Sequence, residues 1–257
     1  MTKENDVLND FSLKPGMDIG NLNFLQIMGR ADTAKTNAAK FETLSLPAAS
    51  VVGEISAPSN WLRLQEGDHT RTPRLTLRPS INDSTMICVN KHRDLPEATA
   101  SNTFKTLMAR GLNPSESQII YIEGSHAGEF ERRVVTALSA VLGTSMVGDN
   151  QLSNPHKLPD PRAPIFHIEK MEMKNLNGKM VLAVDGHFLS FNADGSLKTD
   201  AAGKPMPSSY TGIFAPKDSR AQSIEEIYML SGDNDDFQKN KVTFNRILKS
   251  IGWHRGQ

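Results

Sequence analysis

Short apolar runs alternating with helix-spaced stripes between residues 85 and 143 constrain this chain more than any other feature. Met86-Ile87-Cys88-Val89 is a strand-length run that ends at Asn90. After Pro96, the residues Ala100, Phe104, Leu107 and Met108 fall on one helical face, with Gly111 placed to end it. Ile119-Ile120-Tyr121-Ile122 is a second apolar run. It is followed by Phe130, Val134, Ala137, Leu138 and Val141, a stripe closed by Gly143. The order is strand, helix, strand, helix. A connection of this length between two strands predicts a parallel pair joined by a right-handed crossover.

The pattern changes further on. Four prolines between Pro155 and Pro164 demand a loop or extended chain. Beyond them "IFHIEKMEM", "KMVLAV" and "HFLSF" read as three strands of an antiparallel meander. Asn177-Gly178 and Asp185-Gly186 read as the hairpin turns between them. Ser223-Ile224-Glu225-Glu226 has the spacing of a capping box, and predicts the first of two C-terminal helices. Phe237, Phe244, Leu248 and Ile251 stripe the second, with Asp233, Asp235 and Asp236 at its start. Residues 1–58 show weak periodicity and are expected to be a partly ordered extension. The expected fold is α/β: over 59–257, one domain with a mixed sheet that combines a parallel β-α-β-α unit, an antiparallel meander and C-terminal helices.

Charge narrows the function classes. The 29 basic and 29 acidic residues cancel, so there is no global surplus of the kind that neutralises nucleic-acid phosphates. No apolar run approaches the roughly 20 residues that span a bilayer. The first ten residues, of mixed charge, do not read as a secretory signal. Cys88 stands alone, which rules out an internal disulfide and a cysteine-based zinc cluster. A reducing, cytoplasmic compartment is expected, and secretion by a signal-independent route stays compatible with the chain.

Two loops carry the chemistry a parallel sheet would use. In such a sheet, ligands sit where the carboxyl ends of strands lead into helix N-termini. One such end carries Lys91-His92-Arg93; the other carries Glu123-Gly124-Ser125-His126-Ala127-Gly128. As neighbours these loops would set His92, His126 and Glu123 around an anion as catalytic groups. Lys91, Arg93, Ser125 and the backbone at Gly124 and Gly128 would bind it.

The second loop, Ser125-His126-Ala127-Gly128 with its following helix, resembles one box of the histidine phosphatase (phosphoglycerate mutase-like) superfamily. The resemblance covers about 25 residues, and implies a phosphate contact and acid at His126. It places the nucleophile at His92, although Lys91 and Arg93 depart from the family's Arg-His-Gly box. These residues together predict an enzyme acting on a phosphorylated or anionic small molecule, a phosphoesterase or phosphotransferase. The alternative is a non-catalytic interaction protein, such as a bacterial effector or adaptor, whose loops are structural and whose partner is a protein. Convergence of the two loops on one concavity would favour the enzyme; an exposed apolar patch without convergence would favour the interaction protein.

Cys88 could serve as a second nucleophile, with His167 or His187 as base and Asp185 as orienter, but inside an apolar run a buried core thiol is the expectation. His167 and His187 read as exposed strand histidines. No histidine pair has the i, i+4 spacing of a helical zinc site, and no motif requires a cofactor. Nothing in the sequence sets the oligomeric state.

Overall fold

The computed structural model describes residues 40–65, 75–92, 105–107, 117–124, 128–132, 134–135, 138, 165–189, 192, 196–217 and 224–254. The proline-rich segment and the first 39 residues, which belong to the expected extension, lie outside them. The strands are β1 (Phe41–Ser45), β2 (Val52–Pro58), β3 (Leu62–Gln65), β4 (Leu75–Arg78), β5 (Thr85–His92), β6 (Gln118–Ile122), β7 (Ile165–Leu176), β8 (Lys179–Leu189), β9 (Ser208–Pro216), β10 (Ile224–Ser231) and β11 (Gly252–Trp253). A 16-residue helix, α1 (Asn234–Lys249), precedes the last of these. Residues 105–107 and the described residues between 129 and 138 are also helical.

The strands form an eight-stranded sheet, in the order β3-β4-β5-β10-β9-β8-β7-β6, and a three-stranded sheet, β1-β2-β11. Every pairing is antiparallel. The expected α/β fold with a parallel β-α-β-α unit is therefore incorrect. β5 lies between β4 and β10, whereas β6 lies at the far edge beside β7. The chain leaves β5 at one end of the sheet, crosses to the opposite edge and enters β6 from that same end. β5 and β6 are therefore not neighbours joined by a parallel crossover.

The apolar runs misled for a definable reason. Both faces of the large sheet are covered, so its strands lack the polar alternation of a half-exposed antiparallel sheet. Along β5, Met86 and Cys88 join a core shared with Leu107, Val134, Leu138, Phe166 and Tyr228 on the first face. Ile87 and Val89 join the core on the second face, with Ile213, Ile227 and Met229. The second face is covered by Phe237, Phe244, Ile247 and Leu248 of α1 and by Val52 and Ile55 of β2. Residues 41–58, expected within the extension, thus build β1 and β2 and contribute to this core.

Two local predictions also change. Ile224 to Ser231 is the central strand β10, not a capped helix: Glu225 and Glu226 are buried on opposite faces instead of opening a helical turn. Asp185-Gly186 lies inside β8, which continues unbroken to Leu189, and makes no turn. Gly186 is required there because a Cβ would land on the His167 carbonyl oxygen and 3.0 Å from the Phe166 ring. The turn at Asn177-Gly178 forms as expected. Leu176 pairs with Lys179 across a two-residue loop in which Asn177 (φ 51°) and Gly178 (φ 83°) adopt the left-handed conformation. The Asn177 side chain then donates to the Ile251 carbonyl at 2.7 Å, tying the hairpin tip to the C-terminal end of the chain. Asp233 caps α1, accepting from the Asp236 N–H at 2.9 Å.

Glu225 joins the two sheets. Its Oε2 accepts from the Ser50 hydroxyl at 2.6 Å and from the backbone N–H groups of Val51 and Val52 at 2.8 Å each. Removing a buried, multiply bonded carboxylate leaves those donors desolvated and unpaired. Glu225→Ala should therefore destabilise the fold by about 3 kcal/mol in urea unfolding, and Ser50→Ala by about 1 kcal/mol. Gly186→Ala should cost about 2 kcal/mol or more, because the added methyl group has backbone rather than a movable side chain in its way.

Candidate functional site

The strands that lead into the two expected loops end far apart. Residues paired directly across neighbouring strands form a row from Ile122 through Lys170, Asp185, Thr211 and Met229 to Ile87. The end of β6 is therefore level with Ile87, five residues before His92, an offset of about 17 Å along the strand. Four strands intervene, which adds about 24 Å across the sheet. The backbone of Lys91 and His92 closes β5 opposite Glu225 and Ile224, at the far end. Arg93, Ser125 and His126 lie outside the described residues. The separation of the strand ends removes the geometric basis for the expected hydrolase with a shared anion site.

Gly124 has a left-handed φ of 78°, a conformation open to glycine, and makes the turn after β6. Gly128 accepts from the Arg132 N–H at 3.1 Å and opens the following helix. Val134 and Leu138 of that helix are buried as its stripe predicted.

Glu123 has a different partner from the one its sequence position suggested. Its Oε1 lies 2.6 Å from His167 Nε2. His167 is directly opposite His187 on β7 and β8, and their ring centroids are 4.9 Å apart. His187 Nδ1 in turn lies 2.9 Å from Glu169 Oε1. A β-bulge between Ile168 and Lys170 makes this arrangement, because Glu169 is the extra residue that no β8 residue opposes. The result is a symmetric series, carboxylate–imidazole–imidazole–carboxylate, on the second face of the sheet where α1 and the small sheet do not reach. His187 is 26% exposed and His167 44%, so the cluster forms an open platform rather than a deep cleft.

Sequence reasoning passed over this cluster because its members are scattered between positions 123 and 187. The alternation of β7 and β8 could have indicated that His167 and His187 share a face. Their pairing, however, depends on a register set by the Asn177-Gly178 turn and the bulge.

A second bulge, between Ile119 and Tyr121, shapes the sheet edge. Residues three apart on a regular strand point to opposite faces. Here Ile119 is opposite Glu172 and Ile122 is opposite Lys170, so both isoleucines lie on the second face. They are 55% and 43% exposed. Lys170 and Glu172 pair beside them, 2.6 Å apart.

Cys88 is fully buried on the first face, separated from the histidine pair by the sheet itself. Its Sγ lies 3.6 Å from Thr76 Oγ1. Burial pushes the thiol up to about 11, aided by the nearby Glu226 carboxylate and opposed by hydrogen bonds with Thr76 and Tyr228. Tyr210, which donates to Glu226 Oε1 at 2.5 Å, is raised well above its ordinary value by the same burial and carboxylate.

No family model matches the chain, and no curated protein is significantly similar to it. Among solved structures, it is similar to the solution structure of cyanobacterial PsbP (CyanoP) from Synechocystis sp. PCC 6803. The TM-score is 0.43 at 10% identity, over 87% of this chain and 98% of that one. A superposition this loose says nothing about what either chain binds. Among the described residues, no helix is long and apolar enough to cross a membrane.

The position of Cys88 carries its own test. A thiol reagent at pH 8 should leave the native protein unlabelled and react with one thiol per chain after unfolding. The folded value lies above the unfolded reference of 9.0. The thiol's contribution to stability is therefore fully present below pH 9.0 and lost as pH rises toward about 11. Rapid native labelling at pH 8 would contradict the burial.

Proposed function

We propose that this chain is a non-catalytic interaction protein, and that the outer side of β6 receives an extended segment of a protein partner. The observation that carries the reading is the exposed isoleucine pair, Ile119 and Ile122, set on one face by the bulge at the edge of the large sheet. Exposed apolar edges are aggregation hazards that proteins normally blunt or cover. An added strand satisfies the backbone along such an edge, while alternate side chains supply specificity. The chemistry of the surroundings favours a protein over a lipid surface. Glu123, Glu169 and Glu172 stand close by and outnumber Lys170, which suits a peptide carrying basic residues better than an anionic membrane. The separated strand ends support the same reading, since a site assembled from Glu123 and the end of β5 would need them together.

Panning a displayed library of extended peptides against the full chain tests this. Peptides with apolar residues at alternate positions should be enriched, and should slow amide exchange along β6. Their affinity should fall at least about tenfold, the value of one well-packed apolar contact at an interface centre, in Ile119→Glu or Ile122→Glu. Peptide binding indifferent to both substitutions would overturn the assignment of this edge. Turnover of a phosphomonoester that disappears in Glu123→Gln would overturn the non-catalytic reading itself.

A further inference from the structure

The paired histidines do something the β6 edge does not require. An ionised carboxylate only accepts hydrogen bonds, so the ring nitrogen facing each glutamate must carry the proton. Glu123 therefore holds the proton of neutral His167 on Nε2 and leaves Nδ1 with a lone pair. Glu169 holds that of His187 on Nδ1 and leaves Nε2 with a lone pair. The two imidazoles thus each keep one basic nitrogen, and each is backed by a carboxylate on the other. Carboxylate support of this kind is what protein-bound metals find behind their histidine ligands, where it fixes the tautomer and raises basicity.

The spacing fits a shared ion. Metal–nitrogen bonds of about 2.0–2.1 Å place each ring centre about 3.2 Å from the ion, and a near-tetrahedral angle then separates the centres by roughly 5 Å. The observed separation is 4.9 Å. Direct cross-strand pairing holds both rings on one face without rearrangement of the backbone.

We propose that His167 and His187 form a two-imidazole clamp for a divalent transition-metal ion of the zinc or copper class, with Glu123 and Glu169 as the groups that orient the rings. Among the described residues, no set of three or more His, Cys, Asp or Glu side chains is placed to hold a metal. Among the described residues the site thus offers two ligands, and water would complete the coordination. Imidazole nitrogen selects zinc and copper over magnesium and calcium, which prefer oxygen.

Calorimetric titration of the full-length protein with zinc chloride, repeated with magnesium chloride, tests the clamp. One zinc ion should bind per chain at this site, and magnesium should not. His167→Ala or His187→Ala should weaken the zinc site at least about tenfold, and Glu123→Gln or Glu169→Gln should do so by about tenfold, the usual effect of losing a supporting carboxylate. Each single variant keeps one imidazole, so the double variant should bind zinc more weakly than either single variant. His254→Ala serves as the control and should bind as the unmodified chain does. The two glutamates are exposed and the two histidines half-buried, and circular dichroism with thermal melting checks that each variant is folded. Copper(II) bound to the unmodified chain should show two equivalent-strength nitrogen couplings by electron paramagnetic resonance, and His187→Ala should remove one. Zinc affinity unchanged in either single histidine variant would overturn the proposal.

Discussion

A single buried carboxylate decides how the layers of this protein meet. Glu225 lies on the central strand of the large sheet, inside the core beneath α1, where an unpaired charge would be strongly unfavourable. It is acceptable only because the turn before β2 directs a hydroxyl and two successive N–H groups at one of its oxygens. The dependence runs both ways. Without the carboxylate those two N–H groups lose the acceptor they share. The position of the small sheet on the large one is therefore set by directional bonds, in a core whose apolar contacts alone would tolerate sliding. Its neighbour Glu226 makes a related connection on the opposite face, through the hydroxyl of Tyr210. Tyr210 packs in turn against Phe166, Phe188 and Tyr228.

Those same two glutamates explain much of what the sequence conceals. Within "IEEIYMLS", consecutive acidic residues look like a solvated helical turn, because the bonding that makes their burial tolerable comes from positions 50 to 52 and from 210. The continuous apolar run of β5 was legible as a strand, yet its partner was not. A strand buried on both faces looks alike whether its neighbour is parallel or antiparallel. Elements whose signals are local were readable: the Asn177-Gly178 turn, the Asp233 cap, the stripe of α1 and the inward side of the helix after Gly128. Asp185-Gly186 shows the opposite case, a turn-forming dipeptide kept within a strand because its glycine accommodates a bulged neighbour.

The candidate site was legible only in part, for the same reason. Glu123 was singled out, but as a member of a cluster with His92 and His126 that presupposed adjacent parallel strands. Its actual neighbour, His167, lies on a strand whose register depends on a bulge. Bulges carry weak sequence signals, and each inverts the face of every residue beyond it. Two of them, in β6 and β7, determine which side chains gather at this corner of the sheet.

The order of strands in the large sheet has a kinetic meaning. β3, β4 and β5 are consecutive neighbours, as are β6 through β10, so within each group every strand pairs with the next one in sequence. One seam remains, where β5 meets β10, and the residues paired across it are about half the chain's length apart. Loop-closure entropy opposes that contact until both groups exist as surfaces. The large sheet is thus two ribbons awaiting one late closure. Glu225 lies on the closing strand itself, so its bonds to residues 50 to 52 form only when the N-terminal and C-terminal halves have found each other. An incompletely closed chain would present β5 and β10 as two bare edges of strongly apolar character, a state in which a second copy could supply the missing strand.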